Sequence, residues 1–450
     1  MFLNQERNRT QKIKTDPPFA LRIQNMITAI YWFRNDLRLL DNPSFNQVCR
    51  DTNFLLPIFI NQNKAHDETP ISQPKSSKLR KDFLEESLRD LRTQLKKLNS
   101  NLFELEGDFV QVFQDLQLQL DTRIIYCEEI QAEEELEQLV RLRDAGFEIR
   151  SLWQSSMIEP NSLPFDLADM PGVFTQFRLQ VEKQKIKFTP PIESPTAIPP
   201  LPLITGIKNE SSPLQVVIKD KLFYGGESKA LYHIGQYFDR RLADTYKKTR
   251  NGLIGMDYSS KFSPWLALGC CSARTIANKL TEYEYEFGSN DGTYWIWFEL
   301  LWRDYFRFLS FKTENQIHNK KNDSEEVSDA KTNNYLTEFN GIKFKRWSTG
   351  YTGDSFIDAG MRELISTGYL SNRMRQVVAS YWIYNLSGDW RVGAAWFKAQ
   401  LIDYDVYSNQ GNWQYISGKG LDHQGGRQFN IAKQTQDHDP NGIYRKLWLT

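Results

Sequence analysis

Near the C-terminus Asp403 and Asp405 stand two residues apart, followed by Asn409, Gly411, Asn412, Trp413 and Tyr415. Carboxylates accept hydrogen bonds from ring N–H groups or hydroxyls, an amide donates or accepts, and a glycine lets the backbone come close. That order suits a loop wrapped round one face of a polar, planar ligand. An Asp/Asn-rich turn is the plainer alternative. Upstream, Ser259, Ser260 and Ser263 precede or open a helix, with Pro264 at a plausible first helical position. Hydroxyls and free N–H groups at a helix start form an anion site, and Tyr246 and Lys261 nearby favour a phosphate. A well-capped helix explains the serines equally well.

Two further stretches carry charge among rings. In Tyr294–Phe311 the spacing places Glu299 and Arg303 on one helical face with Trp295, Phe298, Trp302 and Phe306. Such a stripe is commonly core. Buried charges are costly unless paired, so these two are either an i,i+4 pair or the floor of a cavity. In Thr367–Trp382, Asn372, Arg375 and Gln376 share an early helical turn. Arg375 needs an anion, which Asp403 or Asp405 can supply, either as a structural ion pair or within a ligand site.

A chain of 450 residues exceeds what one core usually holds, so two domains are expected. Ile27–Phe33 and Phe54–Ile60 are compact apolar runs suited to buried parallel strands, and Ile124–Tyr126 and Phe147–Leu152 read as further strands. Amphipathic spacing over Ser76–Leu98 and Glu133–Asp144 supplies helices between them. The expectation is an α/β domain with a parallel, Rossmann-like sheet over 27–155. It lacks the G-x-G-x-x-G dinucleotide fingerprint. Residues 156–229 are proline-rich and read as an extended linker with a helical island at Met170–Glu182. From 230 to 450 only helical spacing appears: Ala230–Leu242, Pro264–Leu280, Tyr294–Phe311, Ser355–Thr367, Asn372–Leu386 and Arg391–Leu401. An all-α C-terminal domain follows. Ile317–Asn334 is charged and reads as a mobile insertion, and residues 1–26 as a disordered leader without an apolar h-region. Met26, directly before the first strand, is a candidate start.

Composition bounds the rest. Lys+Arg and Asp+Glu are both 56, so net charge gives no pull toward nucleic acid, and only a local patch could. Aromatic residues make up 13%, enough for a large core or a stacking pocket. The four cysteines form no C-x-x-C pair, which points to a reduced, cytoplasmic protein without a zinc site or other metal. No apolar run spans a bilayer, so no membrane role is expected.

The segments YWFRNDLRLLDN (31–42), SSKFSPWLALG (259–269), ELLWRDYFR (299–307), SGDWRVGAAWF (387–397) and LIDYDVYSNQGNWQY (401–415) follow in order. With the stretch from Thr352 to Gln376 they resemble the photolyase/cryptochrome family from about residue 27 to the end. MPGVFTQFR (170–178), Gln376 after Arg375, Tyr415 two residues after Trp413, and QFNIAKQTQDHDPNGIY (428–444) resemble its cryptochrome DASH branch. His438 falls inside that last segment and is read with it, not as a metal ligand.

The resemblance implies non-covalent FAD in the helical domain. Tyr246, Ser259, Ser260, Lys261, Phe262 and Ser263 match its phosphate contacts; Asn372, Arg375, Asp403 and Asp405 match its flavin and adenine contacts. Asn409 matches the residue facing flavin N5, where an amide is a poor proton donor. Trp413 and Trp390 match the inner and middle members of a light-driven electron relay. The outer tryptophan would fall near Thr337, with Tyr335 as the nearby aromatic. Glu299, Trp302 and Arg303 match the region that meets a pyrimidine dimer, and Gln376 and Tyr415 replace the methionine and second tryptophan of the duplex-active branch. An antenna, 5,10-methenyltetrahydrofolate, is implied in the N-terminal domain near Glu128, Glu129 and Glu134, although a solvated acidic helix start explains those acids too. The implied function is blue-light repair of cyclobutane pyrimidine dimers, mainly in single-stranded or locally opened DNA, with RNA as a further partner to test. The alternative is a blue-light receptor that binds nucleic acid or a partner without turnover. A flavin dehydrogenase is disfavoured by the missing fingerprint.

Overall fold

Five strands form one parallel sheet in the order β3-β2-β1-β4-β5. They are β1 Thr28–Phe33, β2 Phe54–Asn61, β3 Phe103–Glu106, β4 Ile124–Glu128 and β5 Glu148–Leu152. The computed structural model describes residues 26–61, 76–204, 221–321, 338–420 and 425–450. The expected leader up to residue 25, most of the charged insertion, and Tyr335 and Thr337 lie outside them.

The central strand shows why an unbroken apolar run was needed. Ala29, Tyr31 and Phe33 enter one core, while Ile30 and Trp32 enter another on the opposite face. A strand covered on both sides cannot alternate with polar residues. The second core is closed by Phe113, Leu116, Leu139 and Leu142, from helices Phe109–Leu120 and Glu133–Asp144. The first core runs without a break into Tyr246, Phe262 and Trp265 of the helical part.

Three elements of this domain escape a reading by periodicity. The helix Pro43–Asp51 is short and mostly polar; its start is fixed by Asn42, whose side chain accepts from Phe45 N at 3.0 Å. β3 has four residues and alternates with glutamates. Phe109–Leu120 is capped by Asp108, which accepts from Val110 N at 3.0 Å.

The described part of the proline-rich stretch carries two short 3-10 turns, Pro160–Ser162 and Leu167–Asp169, and its helix begins at Phe174 rather than Met170 and ends at Lys183. The first helix beyond it starts at Glu227. Four expectations for the helical part need correction. Pro264–Leu280 is two helices, Ser263–Ala267 and Ala273–Phe287. They part at Gly269, whose φ is +64°; a Cβ there would meet Asn35 O at 2.0 Å, so the chain must turn where it touches the loop after β1. Asn372–Leu386 is helical to Ser380 and then widens into a π turn over Tyr381–Asn385. The aromatic helix runs from Asp291 to Lys321, into the stretch expected to be an insertion. The supposed ligand loop at 403–415 is, from Val406 to Ser417, a helix.

The two parts are tied by buried polar contacts. Asp304 accepts from Met157 N at 2.9 Å and Ile158 N at 2.9 Å. Arg274 donates to Asp41 at 2.9 Å. Leu37 N donates to Leu268 O at 3.1 Å. No helix among the described residues is long and apolar enough to cross a membrane.

Candidate functional site

A cavity of about 710 Å³ opens in the helical part. Every residue singled out for the cofactor or the substrate lines it, from Tyr246 and Ser259–Ser263 through Glu299, Trp302 and Arg303 to Asn372, Arg375, Gln376, Asp403, Asp405, Asn409, Trp413 and Tyr415. Trp390 and the three candidate antenna acids stand outside its lining.

Asp403 and Asp405 sit at the entry to the helix Val406–Ser417. Asp405 is its N-cap and accepts from Ser408 N at 2.8 Å. It also holds Arg307, a residue the sequence reading passed over although it lies four after Arg303. Burial works against the Asp405 anion, but Arg307 and Arg303 outweigh it and hold the carboxyl down at about 2. Asp403 is the anion Arg375 required: Oδ2 accepts from Arg375 Nη2 at 2.7 Å and from Ser263 Oγ at 2.7 Å. Its other oxygen, Oδ1, is buried and has no partner within the protein. An anionic acceptor placed so is costly unless a donor meets it; Asp403 lines the cavity, and a ring N–H or hydroxyl reaching that oxygen would supply one. Asn409 is fixed by donating from Nδ2 to Ala394 O at 3.1 Å.

The serine segment is a loop leading into a helix of a single turn, so the expected helix-end field is small. The anion character comes instead from its side chains. Lys261 takes a left-handed φ of 56° and is buried. Its Nζ lies 3.3 Å from the Tyr258 ring centroid and 4.6 Å from that of Tyr369. Burial pulls its pKa down to about 7, with Glu363 opposing that shift. An incoming anion would restore the full charge.

Glu299 and Arg303 are not a pair. Glu299 binds Arg250, which follows the short helix Tyr246–Thr249, and Arg303 donates to the carbonyls of Ser155 and Leu266. Both are therefore cavity wall. Trp302 is held by stacking on Phe174, with centroids 3.7 Å apart. Tyr415 stands edge-on to Trp302 at 6.4 Å, and the Arg427 guanidinium lies 4.4 Å from the Tyr415 ring centroid. Arg250, Arg373 and Arg427 line the same cavity, Arg250 as the ion-pair partner of Glu299.

A second, smaller cavity of about 210 Å³ lies where the strand order reverses, between the loop after β1 and the end of β4. Crevices at such switch points are the usual ligand sites of open α/β sheets. Glu128 and Glu134 line it, facing Arg38, Arg303, Arg307 and Lys398; Glu129 does not. Glu128 is 2% exposed and its Oε2 has no protein partner. Burial, then Asp36, push its pKa up to about 8. Glu134 is exposed and pairs with Lys398 at 2.6 Å. Glu129 accepts from the Gln131 side chain. Among the described residues no cluster of His, Cys, Asp or Glu suits a metal ion, and His438 ends the helix Ile431–His438.

A parallel α/β sheet joined to a helical part around such a cavity defines the photolyase-type flavoprotein fold. The family model described as "DNA photolyase" matches residues 29–199, and that described as "FAD binding domain of DNA photolyase" matches residues 295–450. The cryptochrome DASH of Synechocystis sp. is 40% identical over 94% of this chain and 87% of its own length. The chloroplastic/mitochondrial cryptochrome DASH of Arabidopsis thaliana is 36% identical over 99% of this chain and 81% of its own. The solved Synechocystis cryptochrome structure superposes with a TM-score of 0.82 at 38% identity, covering 94% of this chain and 88% of that one. The chain belongs to the photolyase/cryptochrome family, in its cryptochrome DASH branch.

Proposed function

We propose that the chain is a blue-light-dependent FAD protein that splits cyclobutane pyrimidine dimers, mainly in single-stranded or locally opened DNA. One observation carries this reading: the residues matching the family's flavin contacts and those matching its dimer contacts line one continuous cavity. FAD, when bound, supplies the photochemistry, a light-driven transfer of one electron to the dimer. The protein's own part is binding and positioning. Asp403 Oδ1 and Arg375 hold the ring or ribose end, Lys261 with Ser259 and Ser260 neutralises phosphate, and Asn409 offers no acidic proton. Trp302, Tyr415 and Gln376 receive the flipped dimer, with Glu299 as a hydrogen-bonding partner for its pyrimidine edge. Trp413 is the electron donor at the cavity wall.

The second cavity is assigned to the antenna, 5,10-methenyltetrahydrofolate, with the free Glu128 carboxyl as its polar anchor and Glu134 at the rim. The free thiols suit a reducing compartment, and we place the protein in the cytoplasm. The test is direct. Denaturation should release FAD, and blue light should repair a dimer in a single-stranded oligonucleotide. Release of FMN alone, or a folded colourless protein, refutes the cavity assignment. FAD without repair on any DNA or RNA substrate replaces this reading by that of a blue-light receptor.

A further inference from the structure

Among the described residues, the rings stacked against or edge-on to Trp413 within 6.4 Å are those of Phe397 and Trp347. The Trp413 and Trp347 centroids are 6.4 Å apart, and those of Trp347 and Trp382 are 5.1 Å apart. Trp347, Trp382 and Trp413 are 0%, 1% and 2% exposed. Gly393 completes the cluster: a Cβ there would meet Trp413 Cη2 at 2.2 Å and Trp382 Cδ1 at 3.0 Å. Only a hydrogen fits between the two indoles.

We infer that Trp347 and Trp382 form a buried electron-relay branch that feeds Trp413, a use the site already described does not assign to them. The inference rests on the flavin reading proposed above. Indole loses one electron far more readily than a phenyl ring, so within this cluster charge moves along the tryptophans and not through Phe344 or Phe397. Trp347 Nε1 donates to Val378 O at 3.1 Å, and Trp382 Nε1 donates to Asp389 O at 2.7 Å. A carbonyl oxygen stabilises positive charge on the ring but does not take the proton, so the charge stays mobile. Trp390, half-buried at the start of its helix, packs against the cluster that holds Trp347, Trp382 and Trp413, and offers the branch an exit toward solvent.

The electron count closes. Trp413 gives one electron to the photoexcited cofactor and regains one from Trp347, which regains one from Trp382. Trp390 discharges Trp382, and a soluble dithiol finally supplies the electron. Two such events convert that dithiol to its disulfide with release of two protons.

The experiment uses the FAD-loaded protein in dithiothreitol under blue light. Trp347→Phe and Trp382→Phe should each slow photoreduction several-fold, and the tryptophan cation absorption seen after a laser flash should decay sooner, because charge confined to Trp413 recombines. In the protein without FAD, the near-ultraviolet dichroism from coupled indoles should collapse in both variants. Trp396→Phe removes a ring whose contact in the same cluster is Phe344, and it should change neither rate nor lifetime. Should Trp347→Phe lose FAD, Trp382→Phe decides. Unchanged photoreduction and cation lifetime in the two variants, alone and combined with Trp390→Phe, overturn the branch. An unmodified protein that binds no FAD overturns the reading beneath it, and that is seen before any variant is made.

Discussion

Asp403 and Asp405 are the same residue type two positions apart, yet the structure gives them different work. Asp405 is fully engaged by Arg307 and the helix end, whereas Asp403 keeps one buried oxygen free. Asp405→Asn should therefore act on stability first. It takes from Arg307, which is 3% exposed at its side chain, its ion-pair partner, and breaking a buried pair costs about 3–5 kcal/mol. Denaturant unfolding of the variant measures it. Glu128 gives the opposite case. Its pKa in the folded protein is about 8, above the ordinary carboxylate value, because burial and Asp36 outweigh Arg38, Arg34 and Arg307. The folded state therefore holds a proton that the unfolded state has released, and stability falls as pH rises from about 4.5 toward 8. Glu128→Gln should leave the melting temperature nearly unchanged at pH 5 and raise it by a few degrees at pH 8. Melting curves at the two pH values decide; a variant less stable at pH 8 would mean that the carboxylate is ionised and paired. Residue types at both sites were legible in the sequence. That Arg375 pairs with Asp403 or Asp405 was legible because an arginine on a buried turn demands an anion; the choice of Asp403 was not. The Glu299–Arg250 pair was not legible, because helical spacing offers only neighbours within one helix and cannot see a partner outside it.

At the scale of elements, the helix Val406–Ser417 was misread as a loop for a physical reason. It carries two asparagines, two glutamines, two serines and a glycine, a composition typical of turns. What makes it helical is tertiary: Asp405 caps it, and Tyr407, Asn409, Trp413 and Ile416 are buried. Its polar face is spent on the cavity, so no apolar stripe survives to be read. Gly411 shows the price of that placement, since a Cβ on it would lie 2.3 Å from Phe306 Cδ1. In an exposed helix, Gly→Ala would stabilise by up to about 1 kcal/mol. Here overpacking should win, and Gly411→Ala should cost about 1–3 kcal/mol and loosen FAD retention, because Phe306 is itself cavity wall. Thermal unfolding together with FAD retention on gel filtration measures both effects. A more stable variant with full FAD would show that Phe306 swings aside freely. By contrast, Ser355–Thr367 was read to the residue, because it has a clear apolar stripe, an aspartate cap and a left-handed Gly368 to end it.

For the whole molecule, equal numbers of acidic and basic residues leave room for a local basic group. Arg250, Arg373 and Arg427 gather at the cavity that also holds Trp302, Gln376 and Tyr415. If these arginines meet phosphates, as the proposed function requires, such contacts would position a strand without reading its sequence and weaken as salt rises. Entry of a dimer then depends on an energy balance. Flipping it from a duplex costs a few kcal/mol, and less when the strand is already open. An aromatic wall returns about 1–3 kcal/mol per stacked base. Tyr415 offers a smaller ring than tryptophan, and Arg427 already stacks on it at 4.4 Å. Gln376 makes the same wall more polar. The return should cover the cost for a single strand and fall short for a duplex. Repair should therefore be efficient in single strands, efficient for a dimer placed in a bubble, and weak in a closed duplex. Tyr415→Trp combined with Gln376→Met should tighten duplex binding while leaving single-strand repair within a few-fold of the unmodified protein. The measurement is dimer repair at matched light dose on the three substrates at one fixed ionic strength, repeated at a higher one. Raising the salt should weaken binding to all three and leave their order intact, because the phosphate term is shared and the flipping term is not. Equal repair of duplex and single strand by the unmodified protein would show that the wall formed by Gln376 and Tyr415 does not govern access.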